Sequence, residues 1–312
     1  MRNKQVNVSD RLFPTPVSQE HWQVETSAGT LYGTLDLPEI PENARVILMI
    51  SGSGPTDRDG NSTVLRKPND SLKMLGGHLV SLGFAVLRYD KRGVAASSAA
   101  AGDMANTRFD DMVDDARAWI DKIAGDPRFG DIGVLGHSEG SLVALLAATD
   151  DRRVRFAISV AGAGRPIGQV IREQLQPQPG FIRKKALAIL SELEEGRRVE
   201  KVPFYLAQLF GADLQSYFIS WNAHDPAALM RELDIPVLVI QGETDIQTAI
   251  TDAELLASAG KDARLHIIPG MNHILKDAPA GRIRNIMSYT EPGLPLSSKL
   301  IEVLNDFSES LV

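Results

Sequence analysis

The sequence predicts an α/β fold: a mostly parallel, eight-stranded sheet flanked by helices, with a helical segment inserted late in the sheet. Three observations carry this. Short apolar runs alternate with segments of helical period along most of the chain, the pattern of strand–helix–strand units. One such unit turns at Gly136-His137-Ser138-Glu139-Gly140, between the apolar run Ile132-Gly133-Val134-Leu135 and the small-residue helix pattern Ser141 to Ala148. Residues 165–232 break the alternation; they are polar and helical in pattern, with no convincing strand.

In chain order, His21 to Ala28 and Thr30 to Leu37 alternate around Ala28-Gly29, as a β-hairpin does, after a polar arm over residues 1–20 that carries Pro14 and Pro16. Arg45 to Ile50 is an apolar run of the kind buried on both faces. It ends in Ser51-Gly52-Ser53-Gly54-Pro55 and the polar loop Thr56 to Asn61. Asn69-Asp70 opens a helix that runs to Ser81-Leu82 and stops at Gly83. Phe84 to Asp90 is the next strand. Phe109, Met112, Val113, Ala116, Trp119, Ile120 and Ile123 keep helical spacing. Arg155 to Gly162, Pro236 to Gly242 and Arg264 to Gly270 are later strands, and an amphipathic helix over about Leu300 to Leu311 closes the chain.

Within residues 165–232, Gln169 to Gln176, Ile182 to Leu193 and Val202 to Phe210 read as separate helices, and Asp225-Pro226 as a further helix start. The expected organisation is a core domain of residues 1–164 and 233–312, with a helical cap of residues 165–232 between the sixth and seventh strands. In that position the cap lies over the carboxyl edge of the sheet.

The 312 residues suit one large domain with such an insertion, and 43% hydrophobic against 23% charged is ordinary for a globular chain with a sizeable core. A net charge of −7 gives no basic footprint for nucleic acid or an anionic membrane. With no cysteine, disulfides, thiolate metal sites and a cysteine nucleophile are excluded. The first residues lack the apolar core of a signal peptide, and no run of about 18 apolar residues suggests a membrane span; the expected compartment is the cytoplasm.

Gly136 to Gly140 reads G-x-S-x-G. Between a strand and a helix this is a nucleophile elbow, a sharp turn that lifts the Ser138 hydroxyl above the carboxyl edge of the sheet. The glycines are needed because side chains at the flanking positions would collide. A serine nucleophile needs a base. Of six histidines, His21, His78, His137, His224 and His266 sit on a strand, a helix, the elbow itself or the insertion, where structural roles are expected. His273 follows the last strand through the turn Pro269-Gly270-Met271-Asn272, and a loop there can bring its imidazole to Ser138. A carboxylate is needed to orient the imidazole. Asp245 lies beyond the strand ending at Gln241; Glu243 shares its loop, but Asp245 is further out, where a loop can turn inward. The order Ser138, Asp245, His273 is the one this elbow type uses. Two backbone N–H groups should form an oxyanion hole: that of Glu139, from the elbow, and that of Ser53, from the loop where Gly52 and Gly54 permit close approach.

Together these residues resemble the α/β-hydrolase superfamily, from the first hairpin to the last helix. Within it, the chain is similar to bacterial serine esterases with S-G-S-G-P-x-D-R-D-G-N, matched here by Ser51 to Asn61, and G-H-S-E-G. The resemblance implies hydrolysis of carboxylic esters of small molecules by water, a helical cap, and no metal or organic cofactor. Thioesterase, amidase or peptidase action on the same triad is the first alternative, and a non-catalytic binding protein on this fold the second. The resemblance also implies short acyl chains of about two to eight carbons, which a compact, water-excluding pocket would favour. The chain departs from these relatives after the fourth strand: Asp90-Lys91-Arg92-Gly93-Val94-Ala95-Ala96-Ser97 has Ala95 where D-x-R-G-x-G-x-S has its second glycine, which puts the shape of that loop in question. Asp57, Arg58 and Asp59 are expected to form a salt-bridged loop holding Ser53, Arg92 a structural anchor.

Overall fold

The computed structural model describes residues 18–65, 67–149 and 151–311. Of the polar arm expected over residues 1–20, residues 1–17 lie outside the described residues, and Ser18 already belongs to the first strand.

Eight strands form one sheet: β1 (Ser18–Thr26), β2 (Gly29–Leu37), β3 (Ala44–Ile50), β4 (Ala85–Tyr89), β5 (Phe129–His137), β6 (Val154–Val160), β7 (Val237–Gly242) and β8 (Ala263–Ile268), in the order β1-β2-β4-β3-β5-β6-β7-β8. The β1–β2 and β2–β4 pairs are antiparallel; every other pair is parallel. Eight strands, mostly parallel, is the predicted sheet.

The pleat explains why the inner strands read as continuous apolar runs. In β3, Val46, Leu48 and Ile50 enter one hydrophobic cluster while Ile47 and Met49 enter another on the opposite face. The first cluster is covered by α2 (Phe109–Ala124), α3 (Glu139–Ala148), α8 (Pro226–Glu232) and α9 (Ile250–Ala259). The second lies under α1 (Ser71–Ser81) and the last helix, Ser298–Ser310. All seven apolar positions expected on the buried face of α2 are buried. At the start of α1, Asn69 does the capping, its Oδ1 accepting the Ser71 N–H at 2.9 Å, while Asp70 adopts φ 52° and accepts a hydrogen bond from the Asn61 amide at 2.8 Å.

No strand interrupts the chain between β6 and β7. That stretch holds α4 (Ile167–Gln174), α5 (Gly180–Glu194), α6 (Ala207–Phe210), α7 (Ala212–Asn222) and α8. Ile171, Leu190, Phe210 and Phe218, among others, build a third cluster that belongs to these helices. The segment expected as one helix over Val202 to Phe210 is a 3-10 turn, Phe204–Leu206, followed by the single turn α6. Pro203 cannot sit inside a continuing helix and Gly211 ends α6, so the segment between them is confined to these two short turns. The chain returns to the core through α8, capped by Asp225, whose Oδ1 accepts the Ala228 N–H at 3.1 Å. Its Leu229 and Met230, with Leu233 beyond, join the first core cluster.

Candidate active site

The parallel strands end at a common edge: Ile50 pairs with Gly136, His137 with Val160 and Gly242 with Ile268. The loops that follow β3, β5, β7 and β8 therefore emerge side by side, and each carries residues picked out from the sequence.

Ser138 follows β5 directly and precedes α3, at φ 56° and ψ −120°. For a residue with a Cβ, such a conformation costs about 1–3 kcal/mol and persists only where the surroundings impose it. Here backbone packing imposes it. A Cβ on Gly136 would lie 2.0 Å from the Gly140 carbonyl oxygen, and one on Gly140 would lie 2.4 Å from that of Ile50. No side chain fits at either position. The Ser138 N–H is anchored on the Val160 carbonyl at 2.8 Å.

His273 and Asp245 come together as expected: His273 Nδ1 donates to Asp245 Oδ2 at 2.8 Å, with both side chains almost wholly buried. The carboxylate is held by further donors. Oδ1 accepts the N–H groups of Gln247 (2.7 Å) and Thr248 (3.1 Å), and Oδ2 accepts from the Gln241 amide at 3.1 Å. Burial pushes the Asp245 carboxyl up, but the charge and hydrogen bond of His273 and the two N–H groups more than offset it, leaving the group below the usual carboxylate range. Glu243 does other work: its Oε2 accepts the Gly270 N–H at 3.1 Å, bracing the turn after β8.

Supporting residues emerge that sequence reasoning did not assign to the site. Thr248 donates to the Ala161 carbonyl at 3.0 Å and lies 3.3 Å from His273 Nδ1. His137 turns away from Ser138 but not from the site. Its Nε2 is 2.7 Å from the His273 carbonyl oxygen, so that nitrogen carries the proton and donates. Burial, then the neighbouring His273, pushes His137 down to about 4, which keeps it neutral. It ties the serine's turn to the histidine's loop. That loop is closed by Asn272, whose Oδ1 accepts the N–H groups of Ile274 (3.2 Å) and Lys276 (3.1 Å). Gln241 was legible as the lone polar residue at the end of the apolar run Val237 to Ile240; Thr248 and His137 gave no such signal. The serine–imidazole contact is the one link left open: no hydrogen bond joins Ser138 Oγ to His273 among the described residues. In unliganded sites that bond is often long and tightens only with substrate.

Ser53 and Glu139 both line the cavity at Ser138. Glu139 is the first residue of α3, so its N–H is one of the unpaired donors at the helix start, where the dipole favours negative charge. The Gly52 backbone passes so close that a Cβ there would lie 3.2 Å from the Ser138 Cβ. Arg58 ties this loop to the residue after β4 and to β2, pairing with Asp90 at 2.6 Å and with the Thr34 hydroxyl at 2.7 Å. Asp59 pairs with Arg88, which also holds Asp36 at 2.8 Å. Asp57 accepts the N–H groups of Asp59 and Asn61, each at 2.9 Å. Arg92 is clamped by Asp115 at 2.7 Å. Each of these charges has a partner within the fold. The loop after β4 keeps a glycine-like shape without the glycine, with Ala95 at φ 45°.

A cavity of about 330 Å³ lies over Ser138, with Ser53, Glu139 and Thr248 in its wall and Val170, Ile171, Leu214, Tyr217, Phe218 and Trp221 from α4 and α7 lining the rest. Other aromatic residues of the same segment lie elsewhere. Phe181, Phe204 and Tyr205 are exposed, and Phe210 packs inside the third cluster. The lining aromatics belong to α7, where Leu214, Tyr217, Phe218 and Trp221 follow the i, i+3, i+4, i+7 rule that would have revealed the helix.

A sheet of this order, with a strained serine between strand and helix and an imidazole–carboxylate pair from the last two strand ends, is the architecture of the α/β-hydrolase fold, and the chain has that fold. Residues 70–221 match the serine aminopeptidase S33 family. Esterase EstD of Thermotoga maritima is 25% identical over 281 residues, which cover 87% of this chain but 65% of that protein, so the chain spans only about two-thirds of its relative. Among solved structures, Est1E from Butyrivibrio proteoclasticus with bound ferulic acid superposes with a TM-score of 0.62 at 17% identity, covering 93% of this chain and 97% of that one. The Pyrococcus furiosus esterase Pf2001 gives 0.57 at 13% identity, covering 97% and 95%. No helix among the described residues is long and apolar enough to cross a membrane.

Proposed function

We propose that this chain is a serine esterase acting on small carboxylic esters through Ser138, His273 and Asp245, with Ser53 and Glu139 as oxyanion donors. The observation that carries the reading is the buried His273–Asp245 pair, at 2.8 Å, on the same sheet edge as a serine held at φ 56°. His273 takes the Ser138 proton as Oγ attacks the ester carbonyl, and the Ser53 and Glu139 N–H groups receive the oxyanion. The imidazolium, held by Asp245, protonates the leaving alcohol. Water then attacks the acyl-enzyme by the same route, releasing the acid and restoring the serine. Residues 165–232 act as a cap, whose α4 and α7 form the apolar wall of the cavity and exclude bulk water. The size of that cavity suits short acyl and alcohol groups. A cytoplasmic site of action rests on the sequence reading alone; fractionation of the producing cell with an antibody to the chain tests it.

The serine aminopeptidase match favours amide bonds as a second reading. An aminopeptidase needs a carboxylate for the substrate's α-ammonium. The cavity wall has one acidic residue, Glu139, and its carboxylate is buried beside Lys91 at 3.6 Å, which supports the ester reading. Matched p-nitrophenyl esters and aminoacyl p-nitroanilides, with fluorophosphonate labelling, test both readings. Esters turned over faster, with labelling abolished in Ser138→Ala, is the expected result. Faster anilide turnover, or unchanged labelling in that variant, overturns the proposal.

A further inference from the structure

Lys91 is a buried lysine in the loop after β4, only 6% exposed, and the triad chemistry makes no use of it. Its ammonium donates to the Gly52 carbonyl and lies 3.6 Å from Glu139 Oε1. Gly52 and Glu139 are not arbitrary neighbours. The Gly52 carbonyl belongs to the same peptide unit as the Ser53 N–H, and Glu139 supplies the other oxyanion N–H.

A trans peptide unit is planar, and its C=O and N–H point to opposite sides. Fixing the Gly52 carbonyl on Lys91 therefore fixes the direction of the Ser53 N–H, away from the ammonium. Without that donor the peptide can rotate more easily, because Gly52, on its N-terminal side, has no side chain to restrain its ψ. The Glu139 side chain is held in turn by Lys91, and Tyr217 of α7 lines the same cavity beside them. Burial, then the Glu139 charge, pushes the Tyr217 phenol up, which keeps it protonated beside that carboxylate.

We propose that Lys91 is the positioning residue of the oxyanion hole: one buried ammonium aims the Ser53 N–H and steadies the residue that bears the second N–H. The inference rests on the esterase reading and adds a residue to it. Lys91 touches neither substrate nor the reacting atoms, so its effect should appear where negative charge develops and not in ground-state binding.

The test uses a short-chain p-nitrophenyl ester and an alkyl trifluoromethyl ketone on the purified chain. Addition of the ketone forms one Ser138 Oγ–carbon bond, moves the carbonyl π pair onto oxygen and transfers the serine proton to His273, so its affinity reads the oxyanion hole. In Lys91→Met, kcat should fall about 10²–10³-fold, the range for losing one oxyanion donor. The ketone's inhibition constant should rise in proportion, with KM within about threefold. Lys91→Arg, which keeps a cationic donor, should recover at least about tenfold of the lost kcat. Lys91→Met leaves a buried carboxylate uncompensated and risks misfolding; Lys91→Met/Glu139→Gln removes both charges and should show the same loss of ketone affinity. Ketone affinity within about threefold of wild type in either folded variant, or a loss confined to KM, overturns the inference. A wild type inactive on every ester would instead overturn the esterase reading.

Discussion

The two halves of the candidate site are held in place by different physics. On the serine side, Ser138 is fixed by exclusion: Gly136 and Gly140 leave no room for side chains, and the strained φ follows from backbone packed against backbone. On the acid–base side, position is set by hydrogen bonds. Asp245 accepts from Gln241, Gln247, Thr248 and His273, while the His273 loop leans on Asn272 and His137. Exclusion tolerates almost no substitution, whereas a hydrogen-bonded loop can lose one member and keep its shape. The serine side should therefore fail through folding and the acid–base side through rate.

The largest effect expected from this contrast is at Gly136. Its Ala variant should lose more than about 4 kcal/mol of stability or fail to fold, the range reserved for forced overlap in a core; urea unfolding measures it, and a loss below about 1 kcal/mol would refute the exclusion account. Asp245→Asn should leave the unfolding midpoint nearly unchanged but lower kcat by about 10⁴-fold, because an amide cannot hold the imidazole in the same tautomer. Steady-state kinetics beside a melting curve reads both, and a large stability loss with modest rate loss would reverse the assignment.

A third test concerns pH. His137 is held near 4 when folded and near its ordinary 6.5 when unfolded, so the unfolded chain binds the extra proton first as pH falls. Between pH 7.5 and pH 5 this linkage should remove about 2 kcal/mol of unfolding free energy. His78, also pushed down by burial, acts in the same direction. Denaturant titrations of wild type and His137→Gln check it: the variant should show the flatter pH dependence. The smallest effect is at Ala95, whose φ of 45° strains a residue with a Cβ. Ala95→Gly should raise the melting temperature by the equivalent of about 0.5–1 kcal/mol, the relief of left-handed strain less the added backbone entropy of glycine.

The same contrast explains what could be read from the sequence. Exclusion leaves glycines, and glycines at fixed spacing are visible, so the elbow and the Gly52-Ser53-Gly54 loop stood out. The sheet was visible because each strand's burial is written in its own run of residues. The supports of His273 were not visible. Thr248 and His137 meet it from 25 and 136 positions away, and nothing local marks either as its neighbour. The lining of the cavity was not legible for the same reason. Phe181, Phe204 and Tyr205 are as apolar as Tyr217 and Trp221, and only the packing of α7 decides which of them faces the serine. Lys91 was visible only as part of a motif; that its ammonium meets a carbonyl 39 positions away needed the fold.

One consequence follows from where the chain leaves the sheet and where it returns. It departs after β6 and rejoins through α8, which is already packed in the first core cluster, and α4 to α7 close over apolar residues of their own. Ser53, Ser138, Glu139, Asp245 and His273 all lie outside that stretch. A single contiguous stretch of gene thus carries most of the cavity wall and none of the proposed reacting groups. A lineage could exchange it by two crossovers and acquire a new substrate without rebuilding its chemistry.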